Sequence, residues 1–228
     1  MVHQLTKPPL VKGKRYRMTL EEFLERVPAK WQAEWVDGEV YIFMSTDIRH
    51  GRVLMFFLGL ISQYVALLEL GEVFCPTFPV HLRGDRSYRE PDIFVVLNEN
   101  RFRLMKNGLY GPPDLVLEAI SDDPDRDRIE KFLEFEAAGV PEYIYVDPRE
   151  GHLDLRFVRR DSEGRFQDVV PDARGRLHSQ VLPGFWIDPN WLRQDPLPNI
   201  NRLLKKMAPE AYRRQALALL AEDDLQQE

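Results

Sequence analysis

The sequence predicts a mixed α/β domain, on three observations. Ile93 to Leu97 and Leu115 to Ile120 are short runs that are apolar throughout except at Glu118, as interior strands of a doubly covered sheet are. Two longer segments, about Arg49 to Leu70 and Arg126 to Gly139, repeat their apolar residues at helical spacing. Strand-like and helix-like segments alternate, as they do where helices flank a central sheet. At 228 residues there is chain enough for one large core or two small ones. With 44% hydrophobic and 30% charged residues, the composition excludes a disordered acidic tail and a collagen-like chain.

The elements follow in order. Thr19 and Glu22 form the sequence of a capping box, which opens a short helix that Val27-Pro28 ends. Asp37-Gly38 is a hairpin turn between the flanks Glu34 to Val36 and Glu39 to Ile42. The helix from about Arg49 to Leu70 carries Val53, Phe56, Phe57, Leu60, Ile61, Tyr64 and Leu68 at helical spacing, with Gly71 as its C-cap. Glu72 to Leu82 alternates loosely, and Pro79 marks an edge or bulge. Asn98 to Gly111 reads as a loop with a helical turn, and Tyr143 to Val146 as a strand closed by Asp147-Pro148. His152 to Val158 and Phe166 to Val170 pair across the turn Asp161 to Gly164. After a proline-rich stretch, Asn201 to Ala221 is helical, with Leu203, Leu204, Met207, Ala211, Leu217 and Leu220 as its apolar face. The organisation expected is one core over residues 18–192 and a C-terminal helical extension over 193–228.

Net charge is −6, which excludes a polycation that grips nucleic acid over its whole surface but leaves room for a local basic cleft. The single cysteine, Cys75, can form no internal disulfide and belongs to no zinc-binding pattern; it reads as a small buried hydrophobe in a strand. Met1 to Arg17 is basic without an apolar core, unlike a signal peptide. Val53 to Leu70 holds Ser62, Gln63 and Glu69 and reads as a buried helix in preference to a membrane span. A soluble, cytoplasmic chain is the expectation. Trp31, Trp35, Trp186 and Trp191 read as core or rim aromatics.

Two carboxylates sit against the apolar pattern. Asp92 heads the strand Ile93 to Leu97, and Glu118 lies inside Leu115 to Ile120. Burying a lone carboxylate costs several kcal/mol unless it is paired, protonated or bound to metal. Each also has a plain structural reading, as a turn residue after Pro91 and as a strand-end ion pair. Lys131 follows Glu118 by thirteen residues on the next helix. It either pairs with Asp127 on the surface or points back over the Glu118 strand. Arg83, Arg86, Arg89, Arg101, Arg103 and Lys106 bracket Asp92 and could meet phosphate.

Taken together, Glu90-Pro91-Asp92, Pro113 to Ser121, Asp127-xxx-Lys131 and Gly139-Val140-Pro141-Glu142-Tyr143 resemble, in order and spacing, the Uma-two family of restriction endonucleases. That family lies within the PD-(D/E)XK nuclease superfamily. Glu34 to Val40 and His50 look like its opening segment, and the resemblance spans roughly Met18 to Trp191. It implies a restriction-endonuclease-like core, a mixed central sheet of four to five strands flanked by helices, with extra β-hairpins and a C-terminal helix. It places Asp92 and Glu118 on adjacent strands as ligands of Mg²⁺ or Mn²⁺, with the carbonyl of Ala119 as a further ligand. The superfamily's lysine position, two residues after the glutamate, is Ile120 here; the family's pattern moves the lysine to the following helix, as Lys131. Either Glu34 or Glu39 would be a supporting acid, and His50 could orient a phosphate or a carboxylate.

The resemblance further implies DNA as substrate, 5′-phosphate products and a homodimer. This chain departs from the family in two places: Ser121-Asp122-Asp123-Pro124 replaces Ser-Pro-Ser-Thr, and Phe135 replaces a tyrosine. Three functions are therefore expected to compete: a metal-dependent endonuclease on DNA, a catalytically silent nuclease-fold binding or assembly module, and a hydrolase of RNA or of a small phosphodiester.

Overall fold

The computed structural model describes residues 9–43, 47–120, 129–149 and 151–225. Strand β1 (Lys14–Arg17) precedes helix α1 (Leu20–Arg26). Thr19 and Glu22 cap α1 reciprocally, each side chain accepting the other's backbone N–H at 3.2 Å. Strands β2 (Ala33–Val36) and β3 (Glu39–Ile42) form the expected hairpin. Asp37 and Gly38 both take positive φ, 48° and 89°, as a two-residue turn of the hairpin hand requires.

Helix α2 (Ile48–Leu67) follows, then β4 (Gly71–Phe74), β5 (Val80–His81), β6 (Ser87–Tyr88) and β7 (Ile93–Leu97). A small hairpin, β8 (Leu104–Met105) and β9 (Gly108–Tyr110), stands where the sequence predicts a loop. Strand β10 (Leu115–Ala119), helix α3 (Lys131–Ala138) and strand β11 (Glu142–Asp147) come next. They precede β12 (Asp154–Arg160), β13 (Phe166–Asp168), β14 (Leu177–His178) and β15 (Trp186–Ile187).

The central sheet has six strands in the order β13-β12-β11-β10-β7-β4. Only β10 and β11 run parallel within it, and α3 lies on the connection between them, as a parallel pair demands. The alternation along each strand decides which side each residue faces. Ile93, Val95, Leu115, Leu117, Ile144 and Val146 pack with α2 in one cluster. Phe94, Val96, Val116, Tyr143 and Tyr145 pack with Phe135 of α3 in another. The mixed α/β architecture is thus as expected, a sheet between helices, but with six strands in place of four to five. A second sheet, in the order β1-β3-β2-β6, has its own small core around Phe23 and Trp35.

The C-terminal helix is two helices, α4 (Ile200–Met207) and α5 (Pro209–Leu225). The break falls at Ala208-Pro209, where proline lacks a backbone donor but fits a first helical turn. Leu203, Leu204, Met207 and Ala211 join the cluster that contains α2, so the change of composition after residue 192 is not a change of core. Helix α2 is long and apolar enough to cross a membrane by length and composition, yet Val53, Phe57, Leu60, Ile61 and Val65 are spent on that same core.

Two local expectations are corrected. Gly71 does not cap α2; Leu68 does, and Glu69 takes the left-handed conformation at φ 53°. Gly71 is instead the first residue of β4, where a Cβ would lie 2.1 Å from the carbonyl oxygen of Val96. Backbone cannot yield there as a side chain could, so Gly71→Ala is expected to destabilise the protein by about 1–3 kcal/mol in urea unfolding. Cys75 is exposed, not buried, because β4 ends one residue earlier, at Phe74.

Candidate active site

Strands β7 and β10 pair antiparallel, with Ile93 opposite Leu117. Continued by one position, that register sets Asp92 opposite Glu118, and residues directly opposite share a face. Asp92 Oδ2 accepts the N–H of Ala119 at 2.9 Å, which ties the residue to the end of β10. Parity puts Glu118 on the same side as Val116, the side covered by α3. There Lys131, the first residue of α3, donates from Nζ to Glu118 Oε2 at 2.8 Å. Both side chains are only 2% exposed. Of the two readings of Lys131, the one that points back over the Glu118 strand is the one observed.

Glu34 completes this cluster. Its side chain is 1% exposed and its Oε1 lies 3.4 Å from Lys131 Nζ. Its Oε2 accepts from Arg89 Nη1 at 2.8 Å. Glu39 is not part of the cluster: it is exposed and pairs with Arg17 at 3.0 Å. Alternation could not separate the two acids, because in the hairpin register Glu34 opposes Tyr41 and Val36 opposes Glu39, which places both glutamates on one face. Glu34 lies mid-strand beneath the ion-paired groups, whereas Glu39 stands at the open turn.

Sequence reasoning missed the roles of three groups. Arg89 is buried and bridges two elements, donating to Glu34 and, from Nε at 2.7 Å and also from Nη2, to Glu134. Glu134 lies on α3 one turn after Lys131 and also accepts from the Ser87 hydroxyl at 2.6 Å. Burial alone would raise its pKa, but Arg89, Ser87 and Arg83 hold it below the usual carboxylate range. The third is Glu90, whose Oε2 accepts the N–H of Ala33 at 3.3 Å. The signal for Glu90 was its place beside Pro91-Asp92. Arg89 was read as a phosphate contact and is instead committed to Glu34 and Glu134, while Glu134 carried no signal, since it looks like an ordinary surface charge in sequence.

Burial pushes the Glu90 carboxyl up to about 7, against the opposing pull of the Ala33 N–H, Tyr88 and Lys131. A carboxyl whose folded pKa exceeds its unfolded value binds more protons when folded. Its contribution is therefore intact below the unfolded value of 4.5 and is lost as pH rises through about 7. In chelator, Glu90→Gln is expected to gain about 2–3 kcal/mol on the unchanged protein between acidic and mildly alkaline buffer. Urea unfolding at the two ends of that window measures it, and an equal difference at both ends would show that Glu90 ionises normally.

His50 lies in the first turn of α2, with its backbone N–H donating to the cap residue Asp47 at 2.8 Å. Its Nε2 is 3.2 Å from the carbonyl oxygen of Ala119. The carbonyl can only accept, so the Nε2–H tautomer is the one that fits. His50 thus holds the end of β10 from the α2 side while Asp92 holds it from β7. Phe135, in place of the family's tyrosine, is fully buried and packs on Tyr143 at 5.4 Å.

The basic segment around Asp92 is largely committed elsewhere. Arg83 pairs with Asp37 and Glu134, and Arg86 with Asp37. Arg101 pairs with Glu72, and Arg103 donates to the carbonyl of Pro112. Arg89 is buried in the network described above. As a phosphate-binding strip the segment is therefore mostly neutralised. The acidic turn Ser121 to Asp125 and Asp127 lie outside the described residues.

The donors suit a hard divalent cation. Glu34, Glu90, Asp92 and Glu118 outnumber Lys131 and Arg89 among the described residues, so a further cation would relieve excess negative charge. No group of three or more His, Cys, Asp or Glu among the described residues could hold a metal ion, which disfavours a fully protein-ligated site. A cation held here would keep several waters and take one or two carboxylates. A carboxylate offers about four lone-pair sites, so the hydrogen bonds at Asp92 and Glu118 are compatible with such a role.

The model of the family Uma2, described as "Putative restriction endonuclease", matches residues 20–190. Among solved structures, a "putative nuclease belonging to DUF820" from Anabaena variabilis superposes with a TM-score of 0.60. The match covers 77% of this chain and 97% of that one at 19% identity, a likeness of fold. A comparison with curated proteins finds no match.

Proposed function

Because this chain belongs to the Uma2 family, whose model covers residues 20–190, we propose that it is a nuclease that hydrolyses DNA phosphodiester bonds with a divalent cation, Mg²⁺ or Mn²⁺. The observation that carries this is the buried Glu118–Lys131 pair with Asp92 in register across from it. A solvent-free lysine–carboxylate pair is weak evidence for stability, since apolar residues of similar volume would often serve as well. Its presence beside a second carboxylate, Asp92, argues for use in chemistry.

In this reading Asp92 and Glu118 hold the cation, with the Ala119 carbonyl beside them. When bound, the cation supplies Lewis acidity, stabilising charge on the phosphate and making water more acidic. Lys131 has three N–H donors. It keeps its place through Glu118 and Glu34 while orienting the attacking water or meeting charge that develops on a phosphate oxygen. Arg89 fixes Glu34, and hence Lys131, from behind, and His50 steadies the end of β10.

A second reading has a specific observation in its favour: the neutralised basic segment leaves little to bind phosphate. It makes the protein a silent nuclease-fold module. The two are separated by incubating the protein with supercoiled plasmid, single-stranded DNA and RNA, each with Mg²⁺, Mn²⁺ or chelator. Cation-dependent nicking of plasmid is the expected result. RNA cut in preference to DNA would change the substrate class. No cleavage, combined with no cation-induced rise in melting temperature, would favour the silent module.

A further inference from the structure

Strands β5, β9 and β8 form a small sheet in that order, laid over the side of the central sheet that carries Glu118. Val80 and Leu104 each pair with Leu109, and these three side chains pack with Phe94, Val96 and Val116. Successive residues of a strand point to opposite faces, so His81, Met105 and Tyr110 stand on the outer face. The ring of Tyr110 stacks on His81 at 4.4 Å, and His81 meets Tyr88 edge-on at 5.5 Å. Tyr88 neighbours Glu90. Val80 exchanges both backbone hydrogen bonds with Arg89, at 2.7 and 3.0 Å. The small sheet is thus fixed beside the acid–lysine cluster.

Its outer face and the turn that precedes it combine aromatic rings with positive charge. Phe102 is 72% exposed, Met105 54% and Tyr110 37%. Arg101 to Tyr110 contains Arg101, Arg103 and Lys106 and no acid. The Arg103 guanidinium lies 5.5 Å from the centre of the Phe102 ring. Lys106 is exposed and stands in no ion pair among the described residues. Arg101 pairs with Glu72, but the two side chains are 56% and 41% exposed, and so exposed a pair contributes little and yields readily to phosphate. Cations without acids favour an anionic occupant, and the open rings beside them favour one that carries planar groups. A nucleic acid strand has both. With so few cations at hand, phosphate contacts alone hold it weakly. Stacking on the rings supplies the rest, and stacking needs bases released from a duplex.

We propose that this face is a stacking platform for single-stranded nucleic acid, with bases on Phe102 and Tyr110 and phosphates on Lys106 and Arg101. The proposal deepens the nuclease reading and rests on it for the kind of ligand: the preferred substrate becomes a strand with unpaired bases. The five residues of β7 separate Asp92 from the turn that carries Phe102, a span of roughly 17 Å, so a short strand reaches from the platform to the acids. Negative supercoiling favours strand opening, so nicking of plasmid remains expected.

Fluorescence anisotropy of a labelled oligothymidylate, titrated with the full chain in chelator, tests the platform without hydrolysis. The unchanged protein is expected to bind the single strand about tenfold or more tightly than a duplex of the same length. Two phosphate contacts predict a shallow salt dependence, with log K against log salt falling at a slope of about −1.4. Phe102→Ala is expected to weaken binding about fivefold or more, with the salt slope and, at so exposed a position, the melting temperature unchanged. Tyr110→Leu, which keeps an apolar residue on β9, is expected to weaken it likewise. Lys106→Ala is expected to make the slope shallower by about 0.7. Equal affinity for single strand and duplex would overturn the proposal, as would affinity untouched by Phe102→Ala and Tyr110→Leu. So would no binding of the single strand at all, the result if this face serves a protein partner. Binding is read in chelator and nicking with cation, so a failed platform is told apart from a failed nuclease.

Discussion

Asp92→Asn is expected to bring plasmid nicking down to the level seen in chelator, a loss of at least about 100- to 1,000-fold, the scale of removing one preorganised electrostatic group. The choice of asparagine matters. Its amide oxygen can still accept the Ala119 N–H that Asp92 Oδ2 accepts at 2.9 Å, so the end of β10 stays in place. What disappears is the negative charge opposite Glu118. Melting temperature in chelator should change little. The rise in melting temperature on adding Mg²⁺ or Mn²⁺, if Asp92 is a ligand, should shrink or vanish, since a ligand stabilises only the state that binds it. Nicking at an undiminished rate by purified Asp92→Asn protein would place the chemistry elsewhere in the chain or in a contaminant.

The largest stability effect is expected at Arg89. Its buried guanidinium joins Glu34 of β2 to Glu134 of α3, and those elements otherwise belong to different layers. Arg89→Leu would leave two buried carboxylates short of their main counter-charge. Breaking a buried ion pair from one side costs about 3–5 kcal/mol. Glu134 retains Ser87 and Arg83, and Glu34 retains Lys131, so the lower end of that range applies, roughly a 6–12 °C fall in melting temperature for a chain of this size. Arg89→Lys should recover only part, because an ammonium cannot present the planar fork that reaches both acids. A fall of under 1 kcal/mol for Arg89→Leu would mean that water reaches and screens the pair.

The elements were legible because their signals are local. A capping box joins residues three positions apart, a two-residue turn needs only Asp37-Gly38, and the runs in β7 and β10 state their own burial. Asp92 and Glu118 were legible for a related reason, as charges inside otherwise apolar strands. The errors fall where a residue's fate depends on what another element lays against it. Gly71 looked like a helix cap until β7 came within reach of its backbone. Leu217 and Leu220 matched a packed helical face, yet both are exposed on α5.

Glu34 and Glu39 show the limit most plainly. They share one face of the same hairpin, and no pattern within that hairpin distinguishes them. Composition, caps, turns and strand periodicity determined by themselves that this chain folds as a mixed α/β core with two acids set against apolar strands, and the family resemblance implied that those strands are neighbours. Which acid faces Lys131, and that Arg89 locks it there, only the tertiary structure decided. The energy of a buried charge depends on its partners across space, and those partners are 55 positions apart for Glu34 and Arg89, and 97 for Glu34 and Lys131.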